Sequence, residues 1–222
     1  MQGSRELWLA GLAVALITGL YAGVTSLAGV PAANGFLGHS LGVLGFLLML
    51  ATETLYSLRK RAIRRPWGRM RDWLRFHIFT GIVGPYLVLL HSAWEFRGLA
   101  GVVTLLTVIV VLSGFTGRYI YTAVPRTADG IVLEVEAIQA EIAGLNAELE
   151  AAAPAEMDRQ QLAQRSDAER RRRRLERQIG SLASARRMLS LWHTVHIPLG
   201  MALFVAAIVH AAGALYYATL LR

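Results

Sequence analysis

Two stretches of the chain set histidines inside segments greasy enough for hydrocarbon. One is "FHIFTGIVGPYLVLLHSAW" (76–94), with His77 and His91. The other is "WHTVHIPLGMALFVAAIVHAAG" (192–213), with His193, His196 and His210. Imidazole in hydrocarbon is costly without a partner, so an intramembrane histidine is a functional-site hypothesis by default. His77 and His91 are fourteen residues apart, and so are His196 and His210. Fourteen residues at 100° each return to within about 40° of the start and rise about 21 Å. Each pair therefore shares a helix face, with one histidine towards each end. Two facing helices of this kind supply two imidazoles at each of two depths.

That donor set suits haem iron, which accepts two axial imidazoles. Facing side chains of helix bundles commonly build such sites. The expectation is one bis-histidine haem b held by His77 and His196 at the inner level. A second is held by His91 and His210 at the outer level. Gly81 and Gly84, between the first pair, and Gly200, between the second, are small enough for a flat ring or another helix to come close. A proton path or a metal site through the same residues is the rival. Zinc needs all its ligands within about 2 Å of one ion, which the rise between levels forbids for a single site. Two separate two-histidine sites would lack ligands.

The elements that must carry these residues are membrane spans. Of the 222 residues 55% are hydrophobic, too apolar for an ordinary soluble domain. Five stretches, roughly 7–28, 36–58, 76–95, 99–121 and 195–220, are long enough to cross a bilayer. The first exceeds a signal-peptide core and reads as a retained helix. There is no cysteine, which excludes disulfides, iron–sulfur clusters, thiolate-ligated haem and C-x-x-C-H attachment. The net charge of +8 would suggest nucleic acid on a soluble face. Here it lies beside apolar spans, so membrane lipid is the expected partner and nucleic acid is not. The loop 59–75 holds eight basic residues and one acid, and the insert before the last span is Arg-rich. By the positive-inside rule the N-terminus is inside and the C-terminus outside.

Residues 127–191 differ from the rest. Ile138, Ile142, Leu145 and Leu149 step by 4, 3 and 4, and Leu175, Ile179 and Leu182 by 4 and 3. These are seams of packed helices. Pro154 in "AAAPAE" marks a turn. The arm 129–150 has six acids and no base, and the second carries Arg170 to Arg174, Arg177, Arg186 and Arg187. An antiparallel, charge-complementary hairpin in the cytoplasm is expected. Its Arg run is either a solvated face or a dock for a cytosolic protein, a second subunit or anionic lipid.

The paired histidines on five spans resemble the transmembrane domain of ferric reductases and NADPH oxidases, and more broadly dihaem membrane cytochromes b. The resemblance covers the five spans and rests on His77, His91, His196 and His210. It implies stacked haems on the third and fifth spans and electron transfer across the bilayer. The reductases have a sixth helix and a flavin/nicotinamide domain. These residues stop at Arg222 without a Gly-rich nucleotide loop, and the hairpin is foreign to that pattern. Redox partner proteins on one or both faces are therefore expected to supply or collect electrons.

Other polar residues have assignable roles. Arg75 and Arg118 are candidates for the inner haem propionates, since guanidinium pairs well with carboxylate; snorkelling at the interface is the alternative. Arg97 and Ser92 are weaker candidates at the outer haem. His39, at the outer end of span two, is an interface residue, a propionate contact or part of a quinone site. His193 is an interface residue, a propionate contact or a substitute for His196. Glu53, the acid well inside a span, either pairs with an arginine or handles a quinone proton. Trp8, Trp67, Trp73, Trp94 and Trp192 sit at expected membrane boundaries. Pro85 and Pro198 should bend their helices.

The reading is an all-α integral membrane protein. It has spans one to four in 1–126, a cytoplasmic hairpin in 127–191 and span five in 192–222, in a bacterial cytoplasmic membrane. Its expected function is electron transfer between two b haems, with no catalytic side chain of its own. Two alternatives are a quinol-reactive anchor for a peripheral oxidoreductase and a haem-free scaffold that recruits partners through the hairpin.

Overall fold

The computed structural model describes residues 5–61, 68–123, 131–151 and 158–220. Among these the chain forms six helices and no strand: α1 (Arg5–Ala28), α2 (Phe36–Arg61), α3 (Met70–His91), α4 (Gly98–Ala123), α5 (Ile131–Ala151) and α6 (Arg159–Leu220). Five of them, all but α5, are long and apolar enough to cross a membrane. Their large apolar side chains, such as Leu12, Leu16, Leu105, Leu112 and Val205, are largely exposed. The turn at Pro154 and the Trp67 end of the basic loop lie outside the described residues.

The chain divides into two compact units, 1–115 with 195–222, and 116–194. In the first, α1, α2 and α3 share a core of Ala10, Val83 and Leu87, with Leu41, Leu48 and Phe79 around it. Thr18 and Tyr86 join hydroxyls at 2.5 Å between α1 and α3. A second core, of Met49, Val103, Leu203 and Ala207, joins α2, α4 and α6.

Helices α2 and α3 meet at Gly45 and Gly84. A Cβ on Gly84 would stand 3.0 Å from the Gly45 carbonyl oxygen and 3.0 Å from Met49 Cγ. Gly84 thus serves helix approach here, the second of the two uses expected of it. Gly84→Ala should lower stability by about 1–3 kcal/mol, the cost of overpacking a tight contact, read as a fall in Tm in detergent.

Two boundaries differ from the sequence expectation. Helix α3 begins at Met70, where Asp72 in the first turn complements the helix dipole. It ends at His91, because Ala93 and Trp94 take positive φ of 47° and 65°, which a helix cannot continue through. Second, the expected boundary at 191/192 falls inside α6, which runs unbroken from Arg159 to Leu220. The residues 181–197 contain no glycine or proline to stop it. Pro85 and Pro198 both lie within helices.

In the second unit α5 packs antiparallel on the first part of α6. Ile138 and Leu182 form the buried centre, flanked by Val135, Ile142, Leu175, Ile179 and Leu189. Glu141 accepts from Arg171 Nε at 2.7 Å, and Asn146 Oδ1 accepts from Arg172 at 3.2 Å. From Ile138 against Leu182 to Glu141 against Arg171, the numbers rise on α5 and fall on α6. Most of the Arg run is neutralised within the hairpin, Arg170 by Asp167, Arg172 by Glu176 and Arg173 by Glu169.

Candidate redox site

The four histidines lie on α3 and α6 of the first unit. His77 is turned to α2. Its Nδ1 donates to the carbonyl oxygen of Thr52 at 3.1 Å, and its ring lies 4.9 Å from that of Tyr56. A carbonyl only accepts, so Nδ1 carries the proton and Nε2 keeps its lone pair. Beside it the Thr52 and Thr80 hydroxyls are hydrogen-bonded at 2.7 Å.

His91 repeats the arrangement fourteen residues on. Its Nδ1 donates to the carbonyl oxygen of Gly38 at 2.8 Å, again leaving Nε2 as the free donor atom. The ring lies over Gly42, where a Cβ would come within 2.8 Å of it. Gly42→Val should therefore displace the His91 ring. The expected result is loss of whatever His91 ligates, with helicity retained by circular dichroism. An unchanged ligand content would show that the ring does not need this seat.

On α6, His196 Nδ1 is hydrogen-bonded to the Ser113 hydroxyl of α4. His210 lies fourteen residues on along the same helix. His39 is exposed, its ring 6.3 Å from that of His91 in an edge contact. Histidine ligands to metals usually donate their second N–H to a carbonyl, carboxylate or water, which fixes tautomer and ring orientation. Both α3 histidines are held in that way.

The arginine candidates separate. Arg75 faces α1, with Nε 3.9 Å from Glu6 and Nη1 3.4 Å from Asp72. It is engaged by two carboxylates of the chain itself. Arg118 is half-buried on α4 and belongs to the second unit. There Trp192 covers Gly117, its ring 4.7 Å from that of His193 in a tilted contact.

Thr52, Gly38, Gly42, Ser113 and Glu6 were not singled out by the sequence. Small residues at 38, 42 and 45 are the one signal that points to a groove on α2. Among the described residues no three His, Cys, Asp or Glu side chains converge on one point. Imidazoles met in pairs would fill two positions of an iron whose other four a porphyrin supplies. With lone-pair nitrogens fixed by carbonyls on α3 and a glycine seat for one ring, these residues fit that group. No protein-family model matches the chain, and neither curated proteins nor solved structures give a match.

Proposed function

We propose that the chain is an integral membrane dihaem cytochrome b. It would carry electrons between two bis-histidine centres as a component of a larger redox assembly. His77 and His196 would hold the inner haem and His91 and His210 the outer one. When bound, haem supplies reversible one-electron chemistry. The chain's own residues hold and tune it. The carbonyls of Thr52 and Gly38 fix the α3 imidazoles with Nε2 available, Ser113 orients His196, and the surrounding helices exclude water. The observation that carries the reading is the repeated Nδ1–H to carbonyl bond of His77 and His91, on histidines matched by an equally spaced pair on α6.

Five helices of spanning length and their exposed apolar faces support a membrane location. The basic loop and Arg-rich insert support a reading with the N-terminus inside and the C-terminus outside a bacterial cytoplasmic membrane. The hairpin is cytoplasmic and receives the redox partner. Arg174, Arg186 and Arg187 have no ion pair among the described residues and are available to an acidic surface. The reading is tested by the visible spectrum of the chain purified from a haem-replete host. Sharp low-spin b-type bands on reduction are expected; a spectrum without haem absorbance would leave the scaffold alternative.

A further inference from the structure

We propose that Glu53 is a redox-linked proton site, protonated when the inner histidine centre is reduced and released on oxidation. The inference rests on the cytochrome reading above.

Glu53 is the acid of α2 and sits half-buried within its apolar stretch. Its Oε2 lies 3.9 Å from where a Cβ on Gly200 would stand. The carboxylate thus faces α6 at a residue without a side chain, one turn after His196. On the other side, the peptide joining residues 52 and 53 carries the carbonyl that accepts the His77 Nδ1–H. The ring of Tyr56, on the next turn, lies 4.9 Å from that of His77 in a tilted contact. Glu53 therefore meets α6 one turn from His196 and shares a peptide bond with the carbonyl that holds His77.

It has no hydrogen-bond or ion-pair partner among the described residues, and the neighbouring cations are turned elsewhere. Arg59, on the same helix, donates Nη2 to the Gly68 carbonyl at 3.0 Å. Arg75 of α3 is engaged by Glu6 and Asp72. The other ionisable groups of α3 and α6 near this level are His77 and His196. Helix α4 has none between Gly98 and Gly117 and carries Arg118, Tyr119 and Tyr121 beyond, and α1 contributes Arg5, Glu6 and Tyr21.

An unpaired carboxylate in an apolar span is costly in its charged form. What offsets that cost is positive charge nearby, and the oxidised centre carries one unit more of it than the reduced centre. With a haem held by these histidines, reduction of its iron by an external one-electron reductant would lower the attraction by that unit across a low-dielectric gap. A proton from water then adds to Glu53 Oε2. Reoxidation expels the proton with the electron, so charge and atoms balance at each turn.

The test is a potentiometric titration of the full chain in lipid nanodiscs, with dithionite as reductant, across a pH series. The inner component should fall in potential by up to about 59 mV per pH unit, the value for one proton per electron. Glu53→Gln should flatten that slope, and Glu53→Asp should keep it. The reduced-minus-oxidised infrared spectrum should show a protonated carboxyl band that Glu53→Gln removes. A slope unchanged in Glu53→Gln would overturn the inference, because another group then carries the proton. So would a pH-independent inner potential in the unaltered chain, even if Glu53→Gln fails to fold. A chain that binds no haem would overturn the cytochrome reading and this inference with it. A haem-loaded chain with either of the first two results overturns the inference alone.

Discussion

If the chain is the dihaem cytochrome proposed, His77→Ala should leave it with one haem of two, and His196→Ala should remove the same one. His91→Ala and His210→Ala should each remove the other. The grouping follows from depth. His77 and His196 lie fourteen residues before His91 and His210 on their helices, a separation of about 21 Å that no single ligand site spans. Low-spin haem needs both axial imidazoles, so loss of either partner is expected to empty or convert that level. The fold should survive the change. His77→Ala removes one hydrogen bond to Thr52, worth about 0.5–1.5 kcal/mol. The Thr52–Thr80 hydroxyl pair and the Gly45–Gly84 contact still join α2 to α3. Haem content and the surviving spectral component, measured beside helicity, separate ligand loss from unfolding. If His77→Ala and His91→Ala removed the same component, the two-level arrangement would be wrong.

The second large effect is expected in the hairpin. Leu182 is 2% exposed and forms the centre of the hairpin core with Ile138. Leu182→Asp removes that packing and places an unpaired charge there. Cavity and charge together cost on the order of 5 kcal/mol, more than a two-helix core of this size can absorb. Hydrogen exchange across 135–189 should accelerate sharply, and proteases should cut there. The first unit has its own two cores, so the haem spectrum should persist while electron delivery by a soluble donor declines. Loss of the spectrum together with the hairpin would make the two units one cooperative structure. Full electron delivery without the hairpin would remove its docking role. The surface ion pairs of the same hairpin carry much less. The Arg171 and Glu141 side chains are 67% and 37% exposed, and such pairs contribute about 0–1 kcal/mol.

Much of this architecture was legible from periodicity. Leu182, Ile138 and Ile142 stood out by their steps of three and four, and they form the hairpin core. Apolar runs located the five long helices to within a few residues, except where amphipathic turns extend them. Met70–Arg75 joins α3 because its polar residues still satisfy a helix, which a hydropathy run cannot register. Continuity of α6 was hidden for a related reason, since composition changes sharply near 192 while backbone propensity does not. The histidine spacing was legible, but the partner of each ring was not. Whether His77 meets Thr52 or His91 meets Gly38 depends on how α3 is rotated against α2. That rotation is set by the Gly45–Gly84 contact, fifty residues or fewer apart in sequence yet silent in any local pattern. The same rotation turns Arg75 towards Glu6, away from the α2 face that receives His77.

The most direct test of the central claim is a pyridine haemochrome count on the purified, haem-replete chain, made beside the His91→Ala variant. Two b haems per chain, falling to one in the variant, is the expected result. One haem per chain in the unaltered protein would contradict the two-level site, and none would contradict the cytochrome reading altogether.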